Sequence, residues 1–95
     1  MIASFDDRAT EALFHGRPSR ARRIPANIRA TALRKLDMVN AARELRDLKV
    51  PPGNRLEALK GDREGEHSIR VNDQWHIVFR WEGGDAHEVS IVDYH

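Results

Sequence analysis

The chain has 95 residues, a formal net charge of +1, 40% apolar and 33% charged residues, and no cysteine. That length supports one domain (1–95) with one modest core, and the balance of apolar to charged residues excludes a disordered polymer. Disulfide and thiolate chemistry are excluded. No apolar run approaches the ~20 residues of a membrane span, and Asp6, Asp7 and Arg8 stand where a signal peptide would be apolar, so a cytoplasmic protein without a membrane partner is expected.

Met1–Phe5 alternates like a short opening strand, with Ile2 inward and Ser4 or Phe5 beside it. Asp6 is a suitable N-cap for a first helix, whose apolar face is Ala9, Ala12 and Leu13 and which Gly16 ends. Gly16–Arg23, G-R-P-S-R-A-R-R, reads as a basic linker broken at Pro18. Pro25 suits the first turn of a second helix, where its missing N–H has no partner to lose. Ile28, Ala32, Leu36 and Val39 then recur at the spacing of one buried stripe, with Arg34 opposite and Arg29 and Lys35 flanking it. Leu45 and Leu48 continue the helical pattern beyond a kink near Asn40, and Pro51-Pro52-Gly53 ends it.

The second half reads as strands. Leu56 and Leu59 anchor a glycine-punctuated basic loop, Lys60-Gly61-Asp62-Arg63-Glu64-Gly65, after which apolar residues alternate. Ile69 and Val71 share one face, Trp75, Ile77, Phe79 and Trp81 another, and Val89 and Ile91 a third, with turn signals at Asn72-Asp73 and Gly83-Gly84-Asp85. The pattern predicts an α+β fold, helices on one face of a small antiparallel sheet. Keeping each apolar set on the core side requires an odd number of residues in both loops. Ile69 then falls opposite Ile77, Arg70 opposite His76, Phe79 opposite Val89 and Arg80 opposite Glu88. Arg70, His76 and Tyr94 project from the other face, an open polar surface.

Charge is unevenly spread. Ala12–Leu36 holds seven basic residues and no acidic one, which suits an anionic partner as well as a plain solvated helix face. The candidate basic surface is Arg20, Arg22, Arg23, Arg29, Arg34 and Lys35. The five histidines (His15, His67, His76, His87, His95) lack the spacing of a metal site, and Lys60–Gly65 matches no nucleotide-binding loop, so neither metal nor cofactor is expected. Metal-free cleavage of RNA fits the residue types better. There the ribose 2′-OH attacks the adjacent phosphate, and the protein supplies a base, an acid and positive charge. Lys60, Arg63 and Arg70 offer the charge; Glu57, His76, Asp93, Tyr94 and His95 are candidates for moving protons. The carboxyl end is expected to fold back to within a few ångströms of Lys60 and Arg63.

Three segments carry a family resemblance: M-I-A-S-F-D-D at the start, L-E-A-L-K-G-D-R-E-G-E-H-S-I-R-V-N-D-Q-W-H-I-V-F-R-W over Leu56–Trp81, and the closing I-V-D-Y-H. Together they resemble the HigB family of plasmid-maintenance killer toxins, within the RelE/ParE superfamily. The resemblance implies the RelE-like fold, with two N-terminal helices packed on one face of an antiparallel sheet. It implies ribosome-dependent cleavage of mRNA in the A site, without metal or cofactor, and translation inhibition. It also implies neutralisation by a helix-turn-helix antitoxin (HigA-like), in a heterotetramer that binds operator DNA through the antitoxin. The family's terminal Asp-Tyr-His matches Asp93, Tyr94 and His95, which would be catalytic. Two positions depart: Glu57 stands where L-H-P-L-K-G-D-R has histidine, and His76 where W-R-I has arginine. The alternative from a different class is a non-catalytic ParE-like inhibitor of DNA gyrase, which the same fold would also support.

Overall fold

A computed structural model describes residues 1–93. Two helices, α1 (Arg8–Phe14) and α2 (Arg29–Ala41), precede four strands: β1 (Glu57–Ala58), β2 (Glu66–Arg70), β3 (Trp75–Glu82) and β4 (Asp85–Asp93). The strands form one antiparallel sheet in the order β1-β2-β3-β4. The expected stripe, Ile28, Ala32, Leu36 and Val39, is buried against Ile69, Ile77, Phe79, Val89 and Ile91. Each fully buried side chain of this size stabilises the fold by roughly 1.5–3 kcal/mol relative to exposure.

The β2–β3 register follows the sequence, with Ile69 opposite Ile77 and Arg70 opposite His76. The β3–β4 register follows it from Trp75 to Val78 and departs by one residue at the turn end. Trp81 pairs with Ala86 and Glu82 with Asp85, so the loop is a two-residue turn of Gly83 and Gly84, at φ +62° and +82°. Positive φ at both positions twists the hairpin in the sense that strands prefer, and glycine adopts it without steric cost. Left alone, an even-numbered turn would set Glu88, not Val89, against Phe79 and expose the apolar set. A β-bulge restores the parity. The register shifts by one between Val78↔Ser90 and Arg80↔His87, and Glu88 takes φ +55° as the extra residue. Arg80 therefore faces His87, although it still reaches the Glu88 carboxylate at 3.4 Å.

The opening segment touches the sheet at two parallel bridges, Ile2↔Ala86 and Phe5↔Val89, rather than forming a strand. Its main chain nevertheless seals the outer edge of β4. Ala3 N donates to Ala86 O (2.7 Å), Ala86 N to Met1 O (3.0 Å), Val89 N to Ser4 O (3.0 Å) and Asp6 N to Val89 O (2.9 Å). Ser4 Oγ accepts from the N–H of the bulged Glu88 (2.9 Å), and Thr10 Oγ1 from Ile91 N (3.0 Å).

Asp7, not Asp6, caps α1. Its Oδ1 accepts from Thr10 N (2.8 Å), while Oδ2 accepts from Thr10 Oγ1 (2.9 Å) and Ser90 Oγ (2.6 Å) and pairs with Arg23 (2.8 Å). Burial pushes this carboxyl up. The bonds from Ser90, Thr10 and Arg23 outweigh burial and hold it below the usual carboxylate range.

The second helix ends at Ala41 and does not run on through Leu48. Leu45–Lys49 is a separate 3-10 turn closed by a capping box, in which Asp47 Oδ2 accepts from the N–H groups of Arg43 and Glu44 (both 3.0 Å). These side chains offer the backbone an alternative to the helix ladder, which is why the apolar period continues while the helix stops. Lys35, expected on the basic surface, is buried at 8% exposure and donates to Asn54 Oδ1. Asn54 Nδ2 in turn donates to Leu48 O (3.2 Å) and Val50 O (3.4 Å), tying the irregular 45–54 segment to α2. Burial, then the charges of Arg34 and Arg70, depress the Lys35 ammonium below its ordinary range.

Asp7→Ala removes a cap and strands Ser90 and Thr10, a loss of about 2–3 kcal/mol, or roughly 10–20 °C in Tm. A carboxyl depressed in the folded state contributes stability above its unfolded value of about 3.9 and loses it as pH falls through the folded value. The gap between wild type and Asp7→Ala in urea unfolding is therefore expected to be full at pH 6–7 and to close below about pH 4.

Candidate active site on the outer face of the sheet

Strand pairing assembles the site. One cross-strand row runs Glu57–Ser68–Val78–Ser90, and the next runs Arg70–His76–Val92. Residues opposite one another, and residues two apart on a strand, share a face, so both rows belong to the side away from the helices. Two residues of strand separate the rows, about 7 Å. Glu57, Arg70 and His76 are thus gathered on one face, as alternation predicted.

That face is not the open plane expected. Val78 is fully buried yet stands apart from the helix-side core, and Ser68 and Ser90 on either side of it are 1% and 8% exposed. Arg70 and His76 are half-buried, and Glu57 is exposed. The result is a sheltered floor with ionisable groups around it. Ser68, the Cα partner of Glu57, was missed in the sequence, although the alternation that selects Arg70 also selects it.

The remaining candidates are spread more widely. Lys60 and Arg63 are exposed on the loop before β2, where Gly61 and Gly65 take φ +67° and +94°, and Arg63 pairs with Glu66 at 3.4 Å. Glu66 begins β2 and Arg70 ends it, so these cations flank opposite ends of a strand about 13 Å long. Arg70 is held by the Asp73 carboxylate. Asp93 pairs with Trp75, which sets it on the Ile77 side of the sheet at its rim, where it accepts from Gln74 Nε2 (2.9 Å). Asp93 is therefore not on the same face as Glu57, Arg70 and His76. Tyr94 and His95 lie outside the described residues.

The basic surface is smaller in one place and larger in another than its sequence implied. Arg23 pairs with Asp7 and reaches Thr10 while staying exposed, and Arg29, half-buried, donates to Ile24 O (2.9 Å) and Ala21 O (3.1 Å), so both help hold the linker. With Lys35 buried, Arg20, Arg22, Arg23 and Arg34 remain exposed. Arg8 and Arg17 join Arg20 around a groove of about 430 Å³ that Glu11 and Ala12 complete. Among the described residues no three of the His, Asp and Glu side chains come together as a metal site would need.

Two short helices on a four-stranded antiparallel sheet, with a sheltered acid–base face, define a small α+β protein of the RelE-like type. The family of HigB-like toxins, described as the RelE-like toxin of the type II toxin–antitoxin system HigB, matches residues 3–95. Toxin HigB-1 of Vibrio cholerae is 42% identical over 86 residues, 90% of each chain. Endoribonuclease HigB of Proteus vulgaris is 34% identical over 95 residues, the full length of both. An uncharacterised protein of Haemophilus influenzae is 37% identical over 69 residues, 73% of this chain and 68% of its own. The chain belongs to the HigB family of type II toxins, whose members act opposite an antitoxin.

The Arg70–Asp73 contact yields a test of the face. Asp73 is 97% exposed, so its pair with Arg70 is worth little to folding. Asp73→Asn is expected to change stability by less than about 0.5 kcal/mol while freeing the guanidinium. RNA affinity, read as KM in a cleavage assay, should then tighten a few-fold; an unchanged or weaker KM would count against Arg70 as a phosphate ligand.

Proposed function

We propose that this toxin is a ribosome-dependent endoribonuclease of the cytoplasm, cutting mRNA in the ribosomal A site and so arresting translation. The observation that carries the reading is the gathering of Glu57, Arg70 and His76 on one sheltered face of the sheet. The relative named an endoribonuclease over its full length supports the same chemistry, and family and named relatives favour it over gyrase inhibition.

In the proposed reaction a base takes the proton of a ribose 2′-OH. The oxygen attacks the adjacent phosphorus, and an acid protonates the departing 5′-oxygen, leaving a 2′,3′-cyclic phosphate and a 5′-hydroxyl. Glu57, His76, Tyr94 and His95 are the groups assigned to proton transfer, and Arg70, Lys60 and Arg63 to phosphate; Asp93, on the other face of the sheet, is left out of that set. A guanidinium suits the developing phosphorane because it stays charged and binds two oxygens at once. In this chain Glu57 and His76 replace the histidine and arginine that the resemblance leads one to expect. His76 then shares the proton work with His95, and fixed charge falls to Arg70, Lys60 and Arg63.

The ribosome is approached through the basic surface that remains exposed, Arg20, Arg22, Arg23 and Arg34 with Arg8 and Arg17, where phosphate contacts position without reading sequence. The antitoxin partner is a helix-turn-helix protein of the HigA type, joined to the toxin in a heterotetramer that binds operator DNA through the antitoxin.

Tyr94→Ala and His95→Ala are each expected to abolish growth arrest on induction and to erase A-site cleavage in toeprints. Full toxicity of both, with damage to DNA, would move the assignment to gyrase. His76→Arg replaces a titrating group by a permanent cation. The acid limb of its pH–rate profile should shift or flatten relative to wild type, and superimposable profiles would exclude His76 from proton transfer.

A further inference from the structure

The two edges of the sheet are treated differently. Residues 1–10 bond along the outer edge of β4, whereas β1 ends the sheet on the other side with nothing paired to it among the described residues. Leu59 N donates to Glu66 O (2.9 Å), so the pairs at positions 57 and 59 turn their main-chain groups towards β2. Ala58 between them turns its N–H and C=O outward, and it is exposed. An unpaired edge of this kind is a template for another strand.

Beside that edge lies a groove of about 350 Å³ lined by Leu45, Arg46, Lys49, Leu56, Ala58 and His67. Its floor is aliphatic. Val50, next to Lys49 in the chain, is 72% exposed. The rim carries two cations, Arg46 and Lys49. Asp47 is taken up by two backbone N–H groups and Glu44 pairs with Arg46 itself at 2.9 Å, so Lys49 is the rim cation with no ion pair among the described residues. The one aromatic ring in the wall, His67, is already stacked on Phe79, with centroids 6.4 Å apart and planes at 23°. A nucleobase therefore finds no free ring to stack on, and an aliphatic side chain finds a floor that fits it.

We propose that this edge and groove receive an extended segment of the antitoxin, one that carries an apolar side chain between acidic residues. The open N–H and C=O of Ala58 would bond its main chain, the groove would take the apolar side chain, and Arg46 and Lys49 would face its carboxylates. Strand addition of this type draws affinity from main-chain bonds and specificity from alternate side-chain pockets. The segment would run beside Glu57, whose side chain stands on the opposite face of the same two-residue strand. The inference rests on the toxin–antitoxin partnership and not on RNA cleavage.

The test uses the full-length toxin and the full-length antitoxin encoded beside it, without ribosomes, so that a failed nuclease reading cannot disguise the result. The double variant Arg46→Glu/Lys49→Glu replaces two exposed residues outside the groups assigned to catalysis. It is expected to weaken antitoxin binding at least tenfold by calorimetric titration while its thermal unfolding stays that of the wild type. Hydrogen exchange of the wild-type complex should protect the Ala58 amide, which exchanges freely in the toxin alone. Wild-type affinity of the double variant would overturn the proposal, as would an Ala58 amide that exchanges at the same rate in the complex. A variant with intact antitoxin affinity and impaired ribosome association would assign the groove to RNA instead, and overturn it equally.

Discussion

One carboxylate fixes the relation between the helices and the sheet. Asp7 starts α1, receives the hydroxyl of Ser90 on β4, and holds Arg23 of the linker. Thr10, one turn later, closes the contact by accepting from the main chain of Ile91. With the bonds made by Met1–Asp6, the first ten residues satisfy an edge that would otherwise offer a row of free backbone groups. Because β4 is clamped in register from outside, β3 and β2 are fixed in turn, and so is the position of His76 and Arg70 on the outer face.

The β3–β4 hairpin shows how two local departures from ideal geometry cancel. Gly83-Gly84 makes the tightest turn available, at the cost of reversing which residues face the core. The extra residue at Glu88 reverses them again, and its N–H, which the ladder cannot use, goes to Ser4 Oγ. Sequence alternation alone reported the net parity correctly and its cause wrongly. An odd loop and an even loop plus a bulge leave the same pattern of apolar residues, so only the pairing distinguishes them. Arg80 shows the consequence, since it pairs with His87 and yet reaches Glu88.

What was legible in the sequence was whatever depended on period. The Ile28–Val39 stripe, the sharing of a face by Arg70 and His76, and the placement of helices on one side all follow from side-chain spacing. Charge was less legible because its partners are remote in the chain. Lys35 meets Asn54, nineteen residues away, and Asp7 meets Ser90, eighty-three away. Arg29 is satisfied by carbonyls of a turn that no residue type announces. A basic run therefore overstates the basic surface, since Lys35 is buried and Arg29 is half-buried against the linker's carbonyls.

The same division explains why the site can depart from the residues its family resemblance leads one to expect. The outer face draws its shape from backbone pairing and from small residues: Ser68 and Ser90 flank Val78, and none of the three is ionisable. Glu57 and His76 stand around that floor, not in it, so neither side chain is needed for the sheet to form. Exchanging a histidine for a carboxylate at one, or an arginine for an imidazole at the other, changes charge and proton affinity while leaving the register untouched. Lys35 adds a constraint from beneath. It is buried, and burial first, then the charges of Arg34 and Arg70, depress its ammonium. The fold thus supplies a fixed floor, and the residues around it can change charge without disturbing the strand register.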